Sequence, residues 1–178
     1  MLISIVGPSR GGKSTLLARV LPDFPNLILL DLDAEENRAV AAIRTAGGEP
    51  GEWDARWRRN LVLLTEADTA PGHVVADVGA GSLQTNEGRR FFIERGARAI
   101  AVVAPWEVVL ARHEGRDVNE FRRTEFSEER RLVYDAAASR VNTGGSLDEA
   151  IADFRSVVAA IVGDSARAIG GGRPFARV

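Results

Sequence analysis

Gly7-Pro8-Ser9-Arg10-Gly11-Gly12-Lys13-Ser14-Thr15 is the stretch that decides how this chain is read. It satisfies the spacing G-x-x-x-x-G-K-[ST] in the setting that motif needs: an apolar, β-branched run, Leu2–Val6, precedes it, and a helical pattern from Ser14 to Leu21 follows. Glycines at these positions let successive backbone N–H groups turn inward around phosphate oxygens, at the positive end of a helix. Gly7, Arg10, Gly11, Gly12, Lys13, Ser14 and Thr15 are therefore candidate nucleotide-binding residues, with Lys13 reaching the β and γ phosphates and Ser14 ligating Mg2+. Composition sharpens the assignment. Of 23 basic residues, 22 are arginine, and Lys13 is the only lysine. The chain uses a compact, flexible ammonium only where a phosphate-binding loop wants one.

Moving outward, Leu27–Leu30 reads as a second buried strand, Val74–Val78 as a third, Ile100–Ala104 as a fourth and Arg140–Asn142 as a short fifth. Helical patterns cover Ala34–Ala46, Trp53–Asp68, Asn86–Arg95, Pro105–Arg112, Ser127–Ala138 and Leu147–Val162. Five strands alternating with helices predict an α/β fold: a three-layer α/β/α P-loop domain around a five-stranded parallel sheet. Ligands of such sheets bind at the carboxyl ends of the strands, where Gly7, Asp31, Asp33, Asp77 and Gly79 fall. Residues 1–162 form one domain in this reading. Residues 114–124, charged and without apolar periodicity, are expected to be an exposed, mobile lid, and 163–178, with three consecutive glycines, a flexible tail.

The bulk properties exclude several classes. With 178 residues and 45% hydrophobic residues the chain has material for one core, and a formal net charge of -2 does not suit a nucleic-acid or anionic-membrane surface. There is no cysteine, hence no disulfide or thiolate metal site. The first ten residues have neither the basic region of a signal peptide nor a membrane-length apolar run. A cytoplasmic protein, monomeric or weakly dimeric, with a small-molecule partner is expected.

Asp77 ends a hydrophobic strand, the position of a carboxylate that holds metal through water, or of a simple strand-end turn. Asp31 and Asp33 follow the second strand. One could serve Mg2+ and the other a substrate hydroxyl, yet Asp33 is equally placed to cap the next helix. Arginine pairs such as Arg58-Arg59 and Arg122-Arg123 are either solvated faces or partners for anions. His73 and His113, isolated in sequence, read as surface residues, and Trp53 with Trp57 as a packing stripe.

Taken together, these residues resemble shikimate kinases, small-molecule kinases of the nucleoside monophosphate kinase-like P-loop group, over most of the length to about Val162. Asp31 and Asp33 match that family's D-x-D, which implies that Asp31 serves the metal and that Asp33 is catalytic with Lys13 and holds acceptor hydroxyls. Gly51–Arg56 is similar to G-E-x-x-F-R, with Arg56 in the place of a substrate-carboxylate ligand. Gly79-Ala80-Gly81 resembles a glycine triplet that borders the acceptor, and Arg130 the arginine that opens R-x-P-L-Y-x-x-x-A. Leu110-Ala111-Arg112 and Val141-Asn142-Thr143 resemble adenine-side elements, which adds Arg112 and Asn142 to the nucleotide site. The resemblance departs at the short segment between Arg112 and Arg130, at Ala80 and at Asp77. It implies ATP with Mg2+ as cofactor and transfer of phosphate to a hydroxyl of a small, anionic polyol, shikimate or a shikimate-like compound. Kinases of other small alcohols, and a non-catalytic ATP-binding switch, stay open as alternatives.

Overall fold

The computed structural model describes residues 1–49, 51, 53–113 and 117–170, with side chains except at 53–55 and 164–170. Its five strands are β1 (Leu2–Val6), β2 (Leu27–Asp31), β3 (His73–Asp77), β4 (Ala99–Val103) and β5 (Ser139–Asn142), in one sheet of order β2-β3-β1-β4-β5. Every pairing is parallel. The eight helices among the described residues are α1 (Lys13–Val20), α2 (Leu32–Thr45), α3 (Trp53–Thr69), α4 (Asn86–Glu94), α5 (Trp106–Ala111), α6 (Val118–Glu125), α7 (Glu128–Ala136) and α8 (Leu147–Gly170). The expected three-layer α/β/α architecture is thus the observed one.

β1 sits at the centre because it is apolar on both faces. Its alternation sends Ile3 and Ile5 into one cluster, with Leu16 and Leu17 of α1 and Phe154 and Val158 of α8. Leu2 and Val6 point into the other, with Trp57 of α3, Phe91 and Phe92 of α4 and Val133 of α7. Trp57 meets Phe91 and Phe92 edge-on at centroid distances of 5.7 and 6.0 Å, so it is a core residue of the packing-stripe kind. Burying aromatics of this size on one face fixes α3 and α4 against the sheet, and with them the loops that leave its carboxyl edge.

Four sequence expectations change. β2 is not buried on both faces. It is the edge strand, with Ile28 59% and Leu29 48% exposed, because an apolar run of four reads the same at an edge as at a centre. Within the expected lid, 114–116 lie outside the described residues, whereas Val118–Glu125 is a helix capped by Asp117, whose carboxylate accepts from Asn119 and Glu120 N–H. One apolar side chain anchors it: Phe121 is buried and stacks on His113 at 4.0 Å, so His113 is a packing residue rather than a free surface one. Finally, α8 runs past Val162 to Gly170. Residues 171–178 of the expected tail lie outside the described residues.

Candidate nucleotide and acceptor site

The loop from Gly7 to Thr15 leaves the carboxyl end of β1 and turns into α1. Gly7 has no substitute there, since a Cβ would lie 2.0 Å from the Val102 carbonyl oxygen at a φ of 153°. Gly12 takes φ 98° and caps α1 without a side-chain hydrogen bond, and Arg10 stands at φ 62°, a left-handed conformation unusual for a residue with a side chain. Backbone N–H groups at the start of α1 are thereby presented to an anion rather than consumed by a cap. Lys13 folds back over the loop, its Nζ donating to the carbonyls of Gly7 at 3.1 Å and Pro8 at 3.3 Å. Only 8% of it is exposed, and this burial pulls its ammonium pKa below the usual lysine value, against the opposing charges of Asp77 and Asp33.

The carboxylates come from two adjacent strand ends. Asp31 and Asp77 are register partners on β2 and β3, and the Ser14 hydroxyl donates to Asp77 Oδ2 at 2.8 Å. Burial pushes the Asp77 carboxyl upward, against the pull of Lys13 and of the Ser14 hydrogen bond, and neighbouring Asp31 adds to the rise. Asp31, not Asp33, caps α2, accepting from Ala34 N–H at 2.9 Å. That releases Asp33 from capping, and it lies in the first turn of α2 against Gly79, where a Cβ would come within 1.6 Å of Asp33 Oδ1. Asp33 is exposed, but partial desolvation among the neighbouring groups raises its carboxyl as well, with Lys13 opposing.

On the other side of Lys13 a cavity of about 500 Å3 opens over the loop, floored by Arg10, Gly12, Lys13, Ser14 and Thr15 and walled by Arg112, Thr143, Leu147 and Ala150. Arg112 is fixed by its bonds to the Thr143 carbonyl at 2.9 Å and the Arg10 carbonyl at 3.4 Å. Asn142 is not among the lining residues; it is exposed, and its Oδ1 accepts from Gly144 N–H. Its neighbour Thr143 takes the inward place, donating to the Gly11 carbonyl at 2.6 Å. A threonine beside an asparagine carries no sequence signal for which of them turns inward; the register of β5 decides it.

Arg130 is 2% exposed, donates to the Ala80 carbonyl at 3.0 Å and pairs with Glu125 at 2.7 Å. Glu125, which the sequence did not single out, also accepts from Ser9 N–H at 2.8 Å, so the end of α6, the start of α7 and the P-loop are tied together through one buried carboxylate. Arg56 pairs with Glu36, a buried residue one turn after Asp33 on α2. Glu52, the other charged residue of the Gly51–Arg56 segment to resemble a motif, lies outside the described residues. Gly81 belongs to the short turn Ala80–Leu83 beside the buried Asn60–Ser82 hydrogen bond.

The oxygen set fits Mg2+. Ser14, Asp31 and Asp77 offer hard donors, and among the described residues no group of three or more His, Cys, Asp or Glu could cage a metal alone. A Mg2+ ion would accordingly be held largely through nucleotide phosphates and water, which is its usual habit.

A glycine loop of this geometry at the carboxyl edge of a parallel sheet defines a P-loop domain. A family model described as an AAA domain matches residues 2–141, and the chain belongs to that family. The fold is that of shikimate kinases. The enzyme from Acinetobacter baumannii, solved in complex with shikimate, superposes with a TM-score of 0.64 at 21% identity, covering 92% of this chain and 93% of that one. Shikimate kinase from Aquifex aeolicus gives 0.61 at 23% identity, over 93% and 99% of the two chains. A tunicamycin resistance protein from Deinococcus radiodurans shares the fold more distantly, with a TM-score of 0.55 at 16% identity over 91% and 95%. No curated protein matches the sequence. Among the described residues no helix is long and apolar enough to cross a membrane.

Proposed function

We propose that the protein is an ATP-dependent phosphotransferase that moves the γ-phosphate of MgATP onto a hydroxyl of a small polyhydroxylated acceptor. The observation that carries this reading is the company Lys13 keeps: it lines the cavity over the P-loop beside Ser14, which is bonded to Asp77, and the carboxylates of Asp77 and Asp33 act on its ammonium. A pure switch needs the cavity only. Asp33, freed from capping and set against Gly79, is exposed and makes no hydrogen bond or ion pair among the described residues, which leaves its carboxylate available to an acceptor.

In this reading ATP lies along the cavity, its phosphates on the loop amides and its base toward Arg112 and Thr143. Lys13 offsets the charge that develops on the transferring phosphoryl group. Asp33 accepts the proton of the acceptor hydroxyl as its oxygen bonds to the γ-phosphorus and the bond to the ADP oxygen breaks. Ser14, Asp31 and Asp77 would hold Mg2+, which supplies charge neutralisation when bound. Positioning then does most of the catalysis. The setting is the cytoplasm, where MgATP is supplied. A cyclic polyol is supported by the fold shared with a shikimate-bound kinase. A carboxylate on that polyol, as the resemblance implies, would need an arginine, and Arg56 and Arg130 are the two the resemblance offers.

Lys13→Ala tests the nucleotide half of the reading. Calorimetry with MgATP should show at least a tenfold loss of affinity, with transfer abolished. Unchanged affinity and turnover would remove the P-loop from the mechanism.

A further inference from the structure

We infer that the acceptor is an uncharged or cationic alcohol rather than a carboxylate, and that Glu125 and Glu36 set this preference by occupying the two arginines that would otherwise bind an anion. The inference rests on the phosphotransferase reading and narrows its substrate class.

Each arginine expected to hold an acceptor carboxylate already has a carboxylate from the protein. Arg130 places one terminal nitrogen 2.7 Å from Glu125 Oε1 in an ion pair that lacks hydrogen-bond alignment and donates from the other to the Ala80 carbonyl, so its charge is already matched by a carboxylate of the protein. Glu125 is not an incidental neighbour that could swing aside. Its second oxygen accepts from Ser9 N–H at 2.8 Å, which anchors it to the P-loop backbone, and the pair is almost completely shielded from water. Displacing it would strand a buried glutamate and an amide at once, and a buried charge without its partner is among the more damaging defects a fold can carry. Arg56 is paired in the same way with Glu36, itself buried.

The surrounding charges point the same way. Asp33 sits one turn before Glu36 on α2, and Asp77 and Asp31 stand at the neighbouring strand ends. An acceptor carboxylate brought to this wall would meet Asp33, Glu36 and Glu125 with both arginines already neutralised, which is repulsion by like charges in a partly desolvated place. Hydroxyl groups meet the same wall as donors facing acceptors, and an ammonium meets it as a counter-ion. Lys13 is left as the cation for the phosphates. Had Arg56 and Arg130 been open forks, the opposite class would follow.

A matched pair of compounds reads this directly: shikimate and its uncharged carboxamide, which share the ring and hydroxyls, with an aminocyclitol as the cationic member. With the full-length protein and MgATP, phosphate gain is followed by mass spectrometry and kcat/KM compared. The expected result is a preference of at least tenfold for the carboxamide or the aminocyclitol over shikimate. Glu36→Gln, which frees the less buried arginine, should shrink that preference by improving shikimate. Glu125→Gln should do so too if it folds. A wild-type preference for shikimate, or a ratio unmoved by Glu36→Gln, overturns the inference while leaving the phosphotransferase reading intact. No phosphate on any of the three, nor on a wider panel of alcohols, would instead overturn both.

Discussion

Asp33 and Gly79 press against each other so closely that they can be tested as a unit. Asp33→Asn keeps the shape and loses the proton acceptor, so kcat should fall by about 10²- to 10⁴-fold with the KM for MgATP nearly unchanged. Gly79→Ala should have a related effect for a different reason. At φ -66° alanine fits the backbone, but its methyl would lie 1.6 Å from Asp33 Oδ1 and must drive that carboxylate away. Thermal unfolding should therefore stay close to wild type while kcat falls. A Gly79→Ala enzyme with full kcat would mean that Asp33 does not act from the place it occupies. The same scale shows where sequence reading ended. Lys13 was legible because a motif with strict spacing isolates it. Glu125 and Glu36 were not, since a lone glutamate in a charged stretch looks like any solvated one until the fold buries it against an arginine.

At the scale of elements, α6 is the helix that sequence pattern does not announce. Its eight residues hold only two apolar side chains, Val118 and Phe121, too few for periodicity to register. Phe121 nevertheless holds it, packed with Ala104 and Val109 and stacked on His113, while Trp106 lies 6.0 Å away. We propose that α6, packed at Phe121 and hinged at its last residue, where Glu125 stays bonded to the P-loop, closes its first turns as a lid when nucleotide binds. Amide exchange across 117–125 should slow when MgATP and acceptor are both present. Phe121→Ala should abolish that protection and raise ATP hydrolysis without acceptor, since a loosened lid admits water. Equal exchange with and without ligands would count against a lid. The strands are more legible in the sequence than this helix because each is a compact apolar run. β2 shows the limit of that signal: the run itself was found, but whether it lies at the centre or the edge depends on strand order, which local composition does not encode.

For the whole molecule, the order β2-β3-β1-β4-β5 brings residues distant in sequence to one edge, from the P-loop at Gly7 to Thr143. The sequence alone led to the sheet, the loop and the carboxylates, because these follow from alternation and spacing. It did not lead to the pairing of Arg56 and Arg130 with glutamates. That pairing belongs to tertiary packing, and it is what separates an anion site from a neutral one. The central claim is phosphate transfer to an alcohol, and the most direct measurement is mass spectrometry of a library of small alcohols incubated with MgATP and either the wild-type protein or Lys13→Ala. The account predicts at least one alcohol heavier by a single phosphate, with ADP formed in equal amount, in the wild-type reaction alone. ATP bound tightly with no phosphorylated alcohol from any member, or the same product from both proteins, would contradict it.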